Sequence, residues 1–137
     1  MTYEEAQHEL DRLKDLHLHI GYIRERIDYL SGRIEHPGSD IINLFSGRSP
    51  EFSVEAKLAK LADLKRDYDK LLAMAVELEE KIIGALSKVD MKYQVILEKY
   101  YVKGQRLEEI CVDVHYSYPQ IKRLKKRAVR LYYEARI

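Results

Sequence analysis

The chain has 137 residues, 46% of them hydrophobic and 34% charged, with a net charge of +1 and a single cysteine. That is too apolar for a disordered chain and unusually charged for a compact globule, so it points to long helices with solvated outer faces, in one domain or two small ones. One cysteine excludes an internal disulfide and a multi-cysteine zinc site, and no apolar run approaches the ~20 residues of a membrane span.

The opening MTYEEAQHEL is acidic and amphipathic and does not read as a secretory signal, so a cytoplasmic protein is expected. Thr2 and Glu5 have the spacing of a capping box. Tyr3, Ala6, Leu10, Leu13, His17, Ile20, Ile27 and Ile34 then follow at alternating steps of three and four, with Arg24 in the one polar slot. This heptad-like stripe predicts a helix of roughly 30 residues, ~45 Å long, ending near His36-Pro37-Gly38. Residues 37–53, PGSDIINLFSGRSPEFS, read as a loop.

A second long helix is expected from Ser53. Val54, Leu61, Tyr68, Ala75, Ile82 and Val89 recur every seven residues, with Leu64, Leu71, Leu78 and Ala85 beside them. Two such helices joined by a loop predict a long antiparallel, coiled-coil-like hairpin over residues 1–89, serving oligomerisation or contact with a partner. The same stripes also suit dimerisation between chains, and both arrangements stay open here.

Charge changes sign after this point. Residues 1–89 hold 13 Lys/Arg against 17 Asp/Glu, a balance of −4; residues 90–137 hold 11 against 6, a balance of +5. A nucleic-acid contact confined to residues 90–137 follows as an expectation. Asp90 suits the N-cap of a third helix, Met91 to Val102, which Gly104 ends as a left-handed residue. A short helix from about Leu107 to Val114 turns Leu107, Ile110, Cys111 and Val114 inward. Ser117 caps the last helix, whose inward face is expected at Ile121, Leu124, Ala128 and Leu131.

Helix, tight turn, helix is the geometry that lays a second helix in the DNA major groove, so an all-α chain ending in a three-helix helix-turn-helix domain is expected. The candidate DNA-binding residues are Ser117, Tyr118, Gln120, Lys122, Arg123, Lys126, Arg127 and Arg130. Gln120 suits adenine and Arg123 guanine, each by a bidentate contact. Lys122, Lys126, Arg127 and Arg130 suit phosphates, as do the backbone N–H groups near Ser117. Tyr132 and Tyr133 are expected to dock the helix against the hairpin.

The run Val95-Ile96-Leu97-Glu98-Lys99-Tyr100-Tyr101, Gly104, Leu107-Glu108-Glu109-Ile110-Cys111, His115-Tyr116-Ser117, Ile121-Lys122-Arg123-Leu124 and Ala128 resembles sigma-70 region 4-like domains. It is most similar to RinA/ArpU-type regulators of phages and prophages, many of which also carry a charged helical N-terminal part. The resemblance implies a phage transcription regulator at work in a bacterial host cell, with Tyr118, Gln120, Lys122, Arg123 and Arg127 facing DNA. The chain departs from the family pattern at Arg106, where Ser or Thr is usual, at Cys111, where Ala is usual, and at His115, where Gly is common.

The expected partner is double-stranded DNA, with host RNA polymerase and a second copy of the chain as further candidates. Catalysis, a cofactor and a bound metal are not expected. The five His have no metal-ligand spacing, Cys111 lies on a core face, and no phosphate loop or nucleophile motif occurs. The alternatives are a protein–protein module acting on a host or defence protein, and a DNA-packaging small subunit.

Overall fold

The computed structural model describes residues 1–35 and 53–137, and all regular structure among them is helical. In chain order the elements are α1 (Tyr3–Glu35), α2 (Val54–Leu86), α3 (Met91–Leu97) continued by a π-helical turn (Glu98–Val102), α4 (Leu107–Val114) and α5 (Tyr118–Arg136). The expected loop at 37–53 lies outside the described residues except for Ser53, whose Oγ accepts from the Ala56 N–H at 3.1 Å and so caps α2. At the start of α1, the Thr2 hydroxyl accepts from the Glu5 N–H and the Glu5 carboxylate from the Thr2 N–H, a complete capping box.

Between α2 and α3 the chain makes a short junction, residues 87–90. Asp90 stands at the N-cap of α3, but its side chain makes no capping bond; its carbonyl accepts from the Tyr93 and Gln94 N–H groups instead. α2 ends at Leu86, and the last position of its heptad series, Val89, lies in the junction, where its N–H closes a turn onto the Leu86 carbonyl.

The helices form two compact units: residues 1–18 with 74–137, and residues 19–73. The division does not fall at residue 89, and the core of the larger unit explains why. Ala6, Leu10 and Leu13 of α1, Ile82, Ala85 and Leu86 of α2, Leu97 and Tyr101, and Ala128, Val129 and Tyr132 of α5 are buried in one cluster. Each large side chain removed from water there contributes about 1.5–3 kcal/mol, so the basic C-terminal segment draws much of its core from the ends of the two long helices.

Polar groups tie the same parts together. The Glu9 carboxylate accepts from Arg136 Nε and Nη2, both at 3.0 Å, and from the Tyr132 hydroxyl. Burial pushes the Glu9 carboxyl up, but the bonds from Arg136 and Tyr132 and the Arg136 charge outweigh it and hold it below its ordinary value. Gln7 Nε2 donates to the Tyr101 hydroxyl at 3.0 Å, and burial pushes that phenol up to about 12.

A smaller cluster of Ile96, Ile110 and Ile121 joins α3, α4 and α5, with Leu107, Cys111, Val114 and Leu124 packed on it. The inward face of α5 is therefore Ile121, Ala128, Val129 and Tyr132, with Leu124 and Leu131 only part-buried. Of the expected face of Ile121, Leu124, Ala128 and Leu131, Ile121 and Ala128 are fully buried. Val129 and Tyr132 lie on the other side of Ala128, where α5 meets α1 and α2.

In the unit of residues 19–73, Ile20 and Ile23 are buried. Arg24, the polar slot in the α1 stripe, is exposed and donates from Nη2 to the Tyr68 hydroxyl at 3.1 Å.

Candidate nucleic-acid interface

The site begins with a turn of three residues between α4 and α5. His115 takes up the left-handed conformation, φ +61°, that the chain needs to leave α4, a place usually held by glycine. Gly104 does the same after the π-helical turn, at φ +67°. Ser117 is then extended and caps α5: its Oγ accepts from the Gln120 N–H at 3.4 Å, while Gln120 Oε1 accepts from the Ser117 N–H at 2.9 Å. Pro119 falls in the first turn, where no donor is lost from the helix.

This box changes the expected role of Gln120. A bidentate contact to adenine needs the amide oxygen as acceptor and the amide nitrogen as donor. The oxygen already holds the start of α5, taking bonds from both the backbone and the hydroxyl of Ser117. Gln120 is thus first a positioning residue for the helix end. The Ser-x-x-Gln spacing was visible in the sequence as a capping signal.

From Tyr118 to the end, the chain has seven Lys/Arg, and the fold sorts them into two groups. Lys125 turns inward, its ammonium 4.1 Å from the centre of the Tyr100 ring and 5.6 Å from that of Tyr101. Arg136 is spent on Glu9. The other five, Lys122, Arg123, Lys126, Arg127 and Arg130, are all exposed. At 100° per residue they occupy a continuous arc of roughly 140° around α5. One acid borders it, Glu134, with an oxygen 3.8 Å from Arg130 Nε. Tyr118 is 43% exposed at the head of the helix, its ring 5.5 Å from the Lys122 ammonium. Of the expected site residues, Lys122, Arg123, Lys126, Arg127 and Arg130 thus share the outer side of α5, while Ser117, Tyr118 and Gln120 are exposed at its head; a like-charged surface of this kind attracts polyanions.

Two features have no signal in the local sequence. Lys14 of α1 sits with its ammonium 3.6 Å from the Tyr100 ring centre, and the pull of Lys14 on the hydroxyl, with the charge of Lys125, draws the Tyr100 phenol below its ordinary range. Tyr3 of α1 stands beside the basic face, lining an open concavity with Arg123, Lys126, Arg127 and Arg130. Both join positions far apart in the chain. Among the described residues no group of three or more His, Cys, Asp or Glu could hold a metal ion, and no helix is long and apolar enough to cross a membrane.

Comparison with protein-family models, with curated proteins and with solved structures gives no match.

Proposed function

We propose that the chain is a sequence-specific DNA-binding transcription regulator of the phage or prophage type, in which α4, the His115–Ser117 turn and α5 act as a sigma-70 region 4-like helix-turn-helix. The observation that carries this reading is the sorting of charge on α5. Five cations form one exposed arc while the other two are used inside the fold. Any amphipathic helix turns its charges outward, so the weight rests on their sign: five of them are cations, and Glu134 is the one acid of α5 beside them.

In this mechanism α5 enters the major groove with its capped end leading. Tyr118 and Arg123 reach base edges, and Arg123 reads guanine through the two parallel N–H bonds that its planar fork provides. Lys122, Lys126, Arg127 and Arg130 neutralise phosphates on either side. A single module of this size has a small footprint, so useful specificity requires a second copy or a protein partner. The long helices are the natural place for that contact. The shared burial of Leu10 with Ile82, and the bond from Arg24 to Tyr68, support their pairing as an antiparallel hairpin within the chain.

The test is titration of labelled duplex DNA at several salt concentrations. The wild-type chain should bind, and the logarithm of its affinity should fall linearly with the logarithm of salt. A Lys122/Arg123/Lys126/Arg127 quadruple alanine variant that binds equally well sinks the proposal. A protein-interaction module is the second reading, favoured by a groove on the flank of α5 with Tyr3, Leu107 and Val129 in it and Lys122, Lys125 and Lys126 around it. It predicts a folded chain with no affinity for duplex DNA at low salt.

A further inference from the structure

The basic arc of α5 is not bounded by α5 alone. Tyr3 forms one wall of the concavity of about 460 Å³ that Arg123, Lys126, Arg127 and Arg130 line, and no carboxylate among the described residues lines it. The tyrosine is held in place. Its ring meets Tyr133 edge-on, with centroids 5.8 Å apart and planes at 80°, and the Arg130 guanidinium lies 5.7 Å from one ring and 5.9 Å from the other. The Thr2–Glu5 capping box fixes the turn that carries it, and the bonds from Tyr132 and Arg136 to Glu9 fix the next. A part-buried ring thus reaches a surface otherwise made of cations.

We propose that this concavity is a backbone-phosphate cradle, so that the first turn of α1 is a second contact on the nucleic acid, beyond the helix that enters the groove. The inference rests on the DNA-binding reading of α5. Its chemistry suits phosphodiesters. The four cations are spread over eight residues, ~10 Å of helix, and duplex DNA carries a charge about every 1.7 Å of its axis. Phosphate oxygens only accept hydrogen bonds, which suits guanidinium and ammonium donors and a phenol hydroxyl alike. Arg130 and Lys126 supply the charge; Tyr3 supplies a neutral donor whose ring also fixes the Arg130 guanidinium. Because Tyr3 belongs to the first turn of a long helix, DNA engagement and the seating of that helix are coupled.

The experiment uses the full chain and a fluorescently labelled duplex of random sequence, read by anisotropy over a salt series, with circular dichroism to check folding. Tyr3→Phe keeps the ring and removes only the hydroxyl; it should weaken binding roughly two- to ten-fold, the range of one hydrogen bond, with an unchanged salt slope. Arg130→Ala should weaken binding and flatten the slope of log affinity against log salt by about 0.9, the value for one phosphate contact. If both variants bind as the wild type does while the quadruple alanine variant remains impaired, the cradle is wrong and the DNA-binding reading stands. If the quadruple variant also binds normally, or the wild type does not bind duplex at all, both fall.

Discussion

The inner and outer faces of α5 carry the same kinds of residue and use them in opposite ways. On the inner side, Arg136 meets a carboxylate and Lys125 meets two aromatic rings. On the outer side, Lys126 and Arg127, the next residues along from Lys125, face solvent beside further cations. Counting charges along the sequence treats all of them alike. What separates them is whether the fold provides a partner, so an internal cation answers to stability and an external one, on the proposed reading, to nucleic acid.

The largest expected break in this comparison is at Glu9, which holds the inner side together. Glu9→Ala strands the Arg136 guanidinium and the Tyr132 hydroxyl, both in contact with the core. It should lower unfolding free energy by about 1.5–3 kcal/mol, the range for a hydrogen-bonded charged group, measured as a shift in urea midpoint with unchanged m-value. The pH dependence has a definite sign. The folded Glu9 carboxyl lies below its usual value of 4.5, so the folded state binds its proton less readily than the unfolded state does. The stability from Glu9 is complete above about pH 4.5 and is lost as pH falls further through the folded value. Glu9→Gln should flatten this part of the stability curve.

Neighbouring lysines give a sharper and smaller contrast. Lys125→Ala removes an ammonium from the Tyr100 and Tyr101 rings and should cost about 0.5–1 kcal/mol of stability, leaving the salt slope of DNA binding unchanged. Lys126→Ala should leave stability within about 0.5 kcal/mol of wild type and flatten that slope by about 0.9. Equal effects of the two substitutions on both measurements would mean that the two faces are not distinct.

Much of the fold was legible because it is local. Three-and-four spacing marked α1 and α2, Thr2, Ser53 and Ser117 marked helix starts, and Gly104 marked an end. The outer arc was legible for the same reason, since Lys122, Arg123, Lys126, Arg127 and Arg130 follow from helical period once Ile121 and Ala128 point inward. What stayed hidden depends on contacts across the length of the chain. Val129 and Tyr132 are core residues only because α1 and α2 cover that side of α5, and nothing near Glu9 in the sequence announces Arg136. Those contacts also put residues 1–18 and 74–89 in one unit with the basic segment, across a boundary that charge and composition drew at residue 89.

An effect no larger than that at Lys125 lies between the two faces, in the turn that sets their orientation. His115 is the only described residue other than glycine with positive φ, at +61°. A side chain there brings its Cβ against the backbone, at a cost of roughly 1–2 kcal/mol, whereas glycine meets no such contact but gives up more chain entropy on folding, about 0.5–1 kcal/mol. The difference favours His115→Gly by about 0.5–1 kcal/mol, seen as a higher urea midpoint. The Cys111 carbonyl should still accept from the N–H groups of residues 115 and 116, since both bonds are made by backbone. DNA affinity should stay within about two-fold, because histidine and glycine position the Ser117–Gln120 capping box through the same backbone angles. A stabilised variant with much weaker DNA binding would instead place the imidazole on the nucleic acid, and the outer face would then extend from α5 into the turn before it.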